Sequence, residues 1–308
     1  MKVKITKETL FLPLIFITLF YGIAFWRYFA TQKIFYIYNF CYIGTSLALG
    51  IFLSGALPKE NVKIGRKVTQ LLIGSYLLFY VGFVMKEDLQ IEGFWFYLFS
   101  GIFAGATLHY FIAKIIGPTI FGRGWCGWAC WTAMIIDLLP WETTQRNTNK
   151  KAAYIRYIHF FIIFLMSFYL FFFSTFGKSF YNSTKIELYL LVVGNIIYYC
   201  IGIILAITLK DNRAFCKYIC PIPVFQKIGT KHSFLKMEID YKKCIDCKKC
   251  EENCPMGVKL LEYKNNGKRI MSTECILCQT CANICPMNAI KATFKIDRKK
   301  RRVATASN

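Results

Sequence analysis

Charge is scarce in this sequence, and acidic charge scarcest: 17 Asp and Glu stand against 39 Lys and Arg in 308 residues, and charged residues make up 18%. Soluble domains run nearer a quarter charged, which argues against an ordinary soluble globule. Histidine occurs only three times. There is no phosphate-cradling glycine loop, no nicotinamide fingerprint and no Ser/His/Asp arrangement. The chain is therefore not expected to hold an organic redox cofactor of its own. The net charge of +22 would suit nucleic acid, but no nucleic-acid motif accompanies it and the chain is too apolar for that reading.

What is abundant is apolar surface, at 56% hydrophobic residues with 29 Phe and 19 Tyr. A membrane-crossing helix needs about 20 mainly apolar residues. Six segments qualify: 10–29, 34–57, 68–85, 94–116, 157–176 and 188–209. The first could pass for a signal peptide, but Trp26-Arg27-Tyr28 follows it and no small-residue cleavage site does, so it reads as a retained helix. Lys2, Lys4, Lys7, then Lys59, Lys63, Arg66 and Lys67, then Arg123, Arg146, Lys150, Lys151 and Arg156 alternate with acidic or weakly basic loops. The positive-inside rule then predicts six spans with both termini in the cytoplasm, in the cell (cytoplasmic) membrane. Gly101-x3-Gly105 suits close helix packing within the fourth span. Trp131 to Trp141 reads as a short amphipathic segment lying in the interface.

Of 14 cysteines, 12 fall in four tight motifs. Clustering of this kind on a long apolar chain points to metal ligation in a reducing compartment, not to a disulfide scaffold. Cys244-x2-Cys247-x2-Cys250-x3-Cys254-Pro255 recurs as Cys275-x2-Cys278-x2-Cys281-x3-Cys285-Pro286. This is the two-cluster ferredoxin run, in which the fourth cysteine ligates the other cluster. Cys244, Cys247, Cys250 and Cys285 are therefore assigned to one [4Fe–4S] centre, and Cys275, Cys278, Cys281 and Cys254 to the second. A pair of zinc sites is the alternative, but zinc rarely shows an evenly spaced third cysteine before Cys-Pro. Lys242, Lys243, Lys248, Lys249, Lys259, Lys268 and Arg269 surround the runs and read mainly as a solvated face toward anionic lipid.

Two shorter motifs share the pattern Arg-x-aromatic-Cys-x-aromatic-x-Cys. They are Arg123-Gly-Trp125-Cys126-Gly-Trp128-Ala-Cys130 and Arg213-Ala-Phe215-Cys216-Lys-Tyr218-Ile-Cys220-Pro221. Each follows a predicted span, and internal repeats in membrane proteins place sites at their shared interface. Spacing of i, i+4 predicts each pair on one helix face, at a helix start that lowers thiol pKa. Cys126, Cys130, Cys216 and Cys220 are therefore candidates for a third metal or dithiol site, with iron, zinc and copper(I) all compatible. His109 and His159 fall in spans at similar depth. Each reads either as a quinone or haem contact or, more simply, as an interhelical hydrogen bond. His232 reads as solvated, and Cys41 and Cys200 as buried hydrophobes.

At Phe215-Cys216-Lys-Tyr-Ile-Cys220-Pro221 and the two ferredoxin runs, the chain resembles the polytopic membrane ferredoxins of the NapH/NosR type and the related CcoG-type proteins. The resemblance covers about residues 90–290. It departs at Trp131, where the first motif usually has proline, and from the NosR-type proteins alone in having no extracytoplasmic flavin-binding domain. It implies electron transfer between a cytoplasmic donor or the quinone pool and a membrane or extracytoplasmic partner, as a quinol dehydrogenase-like oxidoreductase component or a ferredoxin-type carrier. A copper reductase or maturation factor for a respiratory enzyme is the alternative, and a redox sensor or anchor without turnover a third. The expected layout is a helical membrane domain over 1–209 and a linker over 210–240. An α+β two-[4Fe–4S] ferredoxin-like domain follows over 241–297, then a basic tail over 298–308. Membrane lipid and redox partner proteins are the expected partners.

Overall fold

The computed structural model describes residues 5–103, 105–141, 149, 151–174 and 184–297. Lys2, Lys4, Arg146, Lys150 and the tail lie outside the described residues. Among the described residues, five helices are long and apolar enough to cross a membrane: Thr9–Thr31, Phe35–Ala56, Val62–Val84, Ala152–Phe173 and Lys185–Leu209. At 22 to 25 residues each they match a hydrocarbon core about 30 Å thick. Phe11, Phe29 and Phe173 are each about seven-tenths exposed on these helices, an outward apolar surface that water would not favour but lipid does. These helices fit a membrane protein.

In chain order, α1 is Lys7–Thr31 and α2 is Phe35–Ala56. Thr6 and Thr9 cap α1 reciprocally at its start. The third helix, α3, runs Val62–Ser75 and continues as a π-helix over Tyr76–Val84. The expected fourth span over 94–116 is not one helix. A nine-residue helix, α4 (Ile91–Phe99), is followed by a turn and then by α5 (Ala106–Phe121). Gly101 and Gly105 make the turn at φ of +72° and +51°, a region that favours glycine. The Gly-x3-Gly pattern is thus a chain reversal, not a helix-packing stripe. Phe94 stacks on Tyr110 at 4.6 Å and Phe103 lies 5.9 Å from Phe111, so α4 and α5 run back on each other. α4 begins partway along the bundle, where Gln90 Nε2 donates to the Leu191 carbonyl at 3.2 Å. Irregular backbone at that depth is tolerated only inside protein, and Asp88, Leu89, Gln90 and Ile91 are all buried.

Two short helices follow, α6 (Gly124–Trp128) and α7 (Trp131–Ile136). The segment expected to lie in the interface is instead packed inward: Ala133 and Ile136 are fully buried, and Gly74 of α3 abuts Trp131 and Met134. Next come α8 (Ile155–Phe173), α9 (Thr184–Leu209), α10 (Ala214–Tyr218) and α11 (Pro223–Thr230).

The cysteine-rich region is built on one antiparallel pair, β1 (Leu235–Ile239) with β2 (Ile290–Phe294), in register Leu235↔Phe294 and Ile239↔Ile290. Met237, Val258, Leu260, Ile270 and Ile276 fill its core together with the cysteines. The internal repeat seen in sequence is also a repeat of backbone. Asp246 and Lys248 have positive φ, as do Leu277 and Gln279 at the same offsets in the second run. Gly257 and Asn288 repeat the match after each Cys-Pro. Left-handed residues in series curl a loop and turn its N–H groups inward, as an anionic centre requires.

Candidate metal centres and their junction

One cavity in the cysteine-rich region is lined by Cys254, Cys275, Cys278 and Cys281, with apolar walls from Met237, Val258, Leu260, Ile270 and Leu277. Three of the thiols come from the second run and Cys254 crosses over from the first. The backbone N–H of Val258 donates to Cys254 Sγ at 3.4 Å, and that of Ala289 to Cys285 Sγ at 3.3 Å, so both fourth cysteines are oriented alike. Cys244, Cys250 and Cys285 pack on the same core, whereas Cys247 is exposed. Among the described residues, no three His, Cys, Asp or Glu side chains are gathered tightly enough to hold a single metal ion. Burial pushes Cys275 and Cys250 up to about 12 and Cys254 and Cys281 upward too. Four thiolates in so apolar a cavity would need cationic iron to be stable, and a soft thiolate set with amide donors fits an iron–sulfur cluster.

The Cys-x3-Cys pairs depart from the expected geometry. Cys126 sits in α6, but Cys130 is the extended residue before α7. Cys216 sits in α10, and Cys220 lies beyond its end. Each pair thus straddles a helix end and does not share one helix face. The expected lowering of thiol pKa is also reversed. Burial pushes Cys216 up to about 11, with Arg213 pulling against it, and raises Cys130 and Cys220. Helices of five residues carry too little dipole to offset that desolvation. All four thiols nonetheless lie within electrostatic reach of one another. Arg213 ties the repeats together: Nη1 donates to the Cys126 carbonyl at 3.1 Å and approaches Cys216 Sγ at 3.8 Å. Its other nitrogen pairs with Asp137, which Arg66 also holds at 2.8 Å. Asp137 is buried, yet the two guanidinium groups keep its carboxyl below the usual range.

The cysteine-rich region seats its second run directly on the first Cys-x3-Cys motif. Trp128 Nε1 donates to the Leu277 carbonyl at 3.0 Å. A Cβ on Gly127 would stand 2.3 Å from the Ile276 carbonyl oxygen, so only glycine permits the approach. Cys126 belongs to the same buried core as Cys250, Cys281, Ile276 and Leu277. Beside it, Glu274 takes Arg123 at 2.6 Å, Arg156 at 3.2 Å and Lys227 at 2.6 Å. Burial alone would raise the Glu274 carboxyl, but these three cations bring it down to about 2. Arg123 and Arg156 were topology signals in the sequence; in the fold they are buried anchors. Arg269 is likewise no solvated lysine-like charge, since it is buried and forks onto Asp297 at 2.8 and 2.9 Å. The lysines at 242, 243, 248, 249, 259 and 268 are exposed as expected.

His159 Nδ1–H donates to the Ile219 carbonyl at 2.8 Å, the plain interhelical bond that sequence allowed. His109 is half-buried against Trp125 and Trp131 with ring centroids 5.0 and 6.4 Å away. Lys114 was not singled out by sequence, yet it is buried and stacks on Trp125 at 4.3 Å. A lone lysine inside an apolar helix was the available signal.

A family model described as a 4Fe-4S dicluster domain matches residues 236–286. A second, described as a 4Fe-4S binding domain, matches residues 94–144 and 196–238. The chain carries 4Fe-4S-binding domains. Their matched segments take in both ferredoxin runs and both Cys-x3-Cys pairs, and their chemistry is that of iron–sulfur electron transport. Two proteins of Methanocaldococcus jannaschii, the uncharacterized proteins MJ0749 and MJ0750, are similar. The first is 26% identical over 214 residues, covering 66% of this chain and 78% of its own length. The second is 25% identical over 215 residues, covering 66% and 86%. No solved structure matches the chain.

Proposed function

We propose that this chain is a membrane electron-transfer protein of the polytopic ferredoxin type, moving electrons between a cytoplasmic donor or the quinone pool and a redox partner at or beyond the membrane. The observation that carries this is the shared core in which Cys126 packs with the cysteines of the second ferredoxin run. Cys244, Cys247, Cys250 and Cys285 would hold one [4Fe–4S] cluster, and Cys275, Cys278, Cys281 and Cys254 the other. Cys126, Cys130, Cys216 and Cys220 would hold a further centre. When bound, such clusters supply one-electron redox chemistry.

The residues of the chain do the rest. Trp128, Gly127 and the Glu274 anchors fix the second run against the first pair, so the two thiol sets share one apolar wall. Arg213 and Lys114 put buried positive charge beside the pairs, which favours extra negative charge there. Lys59 reaches Asn288 and Arg66 reaches the Gly127 carbonyl, so the basic loop after α2 lies beside the cysteine motifs, which supports a cytoplasmic location for that end.

The test is Cys126→Ser and Cys216→Ser in full-length, anaerobically prepared protein. Partner- or quinone-directed electron transfer should be lost while both ferredoxin EPR signals remain. Survival of activity in both variants would make the pairs structural.

A further inference from the structure

Where the chain breaks before α4, four carboxyl groups are brought together. They are Glu87, Asp88, Glu92 and Glu187. Asp88 lies within electrostatic reach of Glu92 and Glu187, and Glu87 of Glu187. Asp88 is fully buried and Glu187 nearly so. Among the described residues, none of the four has a Lys, Arg or His within ion-pair distance. Acidic side chains inside an apolar bundle without cations must carry protons or bind a cation.

The oxygen atoms facing this spot point to a proton. Asp88 Oδ1 accepts from the Gln90 N–H at 3.0 Å, but Asp88 Oδ2 has no partner. Gln90 is 3% exposed and spends its Nε2 on the Leu191 carbonyl, leaving its Oε1 buried without a donor. That Oε1 and Glu92 Oε1 flank one point on α9, lying 2.1 and 2.9 Å from where a Gly194 Cβ would stand. An acceptor amide oxygen beside a carboxyl calls for the acid O–H that a protonated Glu92 supplies. The N-terminus of α4 favours negative charge at the same place, so the anion stays accessible. Tyr97 already donates to Glu187 at 2.7 Å. His109 and Lys114, the bases on α5, face Trp125 instead.

A polar path leads from this spot to the thiols. The Leu191 carbonyl also accepts from Asn195 Nδ2 at 2.7 Å, and Asn195 Oδ1 accepts from Trp131 Nε1 at 3.0 Å. Trp131 directly follows Cys130. Tyr110 and Tyr198 lie within electrostatic reach of Asp88 and Glu92 on one side and Cys220 on the other. The tyrosine hydroxyl of Tyr198 is buried and unpartnered. Both π-helical stretches, Tyr76–Val84 and Tyr110–Ile116, adjoin this region, and such stretches recur at functional sites.

We infer that Asp88 and Glu92, with Gln90 as acceptor, form a proton-binding site that holds one proton at rest and takes up a second when the protein is reduced. One electron from a low-potential donor adds one negative charge at the cysteine end. One proton from water converts the Asp88–Glu92 carboxylate to the neutral acid, and the added charge is balanced. The coupling to reduction rests on the electron-transfer reading above; the proton site by itself does not.

Infrared difference spectroscopy on the full-length protein in detergent at neutral pH tests the site. A protonated-carboxyl band that shifts in D₂O is expected, lost in Glu92→Gln with Asp88→Asn and displaced in Gln90→Leu, which keeps both acids. Dithionite reduction with a pH indicator tests the coupling: proton uptake should accompany reduction and fall at least severalfold in Glu92→Gln, at unchanged iron content and EPR signals. No such band in the unaltered protein, or its removal by sodium chloride alone, would overturn the proton site. Unchanged uptake in Glu92→Gln would overturn the coupling. A protein that binds no iron would instead overturn the electron-transfer reading, while the carboxyl band still decides the site.

Discussion

The indole N–H of Trp128 donates to the carbonyl of Leu277 at 3.0 Å, joining the first Cys-x3-Cys motif to the second ferredoxin run. Leu277 has φ of +53°, and its own backbone N–H donates to the Cys275 sulfur. One residue thus serves two sites: its backbone shapes the cysteine loop and its oxygen fixes the loop to the bundle.

Gly127→Ala should separate these two parts. The new methyl would stand 2.3 Å from the Ile276 backbone oxygen, which a rotamer change cannot relieve. A loss of about 1–3 kcal/mol at the junction is expected. Hydrogen exchange should rise around residues 124–128 and 273–279, with both ferredoxin EPR signals retained. Unaltered exchange would show that the contact does not hold the parts together.

Glu274→Ala should be more damaging than a surface charge deletion. It leaves Arg123 and Arg156 buried without their carboxylate, a change that typically costs about 3–5 kcal/mol. Because the folded carboxyl is held at about 2, below its unfolded value, its stabilisation is fully present above the ordinary Glu range. It fades as pH falls from there through about 2. Thermal melts of Glu274→Gln and the unaltered protein should therefore differ at neutral pH and converge in strong acid.

Cys254→Ser should disturb the cluster site of Cys275, Cys278 and Cys281, not that of the run it belongs to, because it lines their cavity. EPR should lose or alter one cubane signal and keep the other. The mirror change, Cys285→Ser, should spare the signal lost in the first. Loss in Cys254→Ser of the same signal that Cys247→Ser removes would rule out the crossover.

Cluster assembly should release protons. Burial holds Cys250 and Cys275 up at about 12, so without iron they are thiols at neutral pH, and iron binding must displace those protons. Anaerobic reconstitution in weak buffer should acidify the solution, and loading should fall as pH is lowered.

Lys248→Gly should stabilise the cysteine-rich region. Lys248 is exposed and has φ of +59°, so glycine removes a left-handed cost of about 1 kcal/mol without losing packing. Lys248→Val should cost at least as much. Melting of the iron-loaded protein distinguishes the two.

Local spacing alone determined the ferredoxin runs, the paired short motifs and most of the apolar helices. Ligand reach and hydrocarbon thickness are short-range constraints, and they write themselves into neighbouring residues. Only the tertiary structure decided that 94–116 folds back at Gly101 and Gly105, that Cys126 and Cys130 part across a helix end, and that Trp131 packs inward against Asn195. It also decided that Arg123, Arg156 and Arg213 are buried anchors and that Gln90 and Glu92 meet Gly194. Most of these depend on a partner tens to over a hundred residues away, and burial, which sets both ion pairing and thiol acidity, exists only once those distant segments have met.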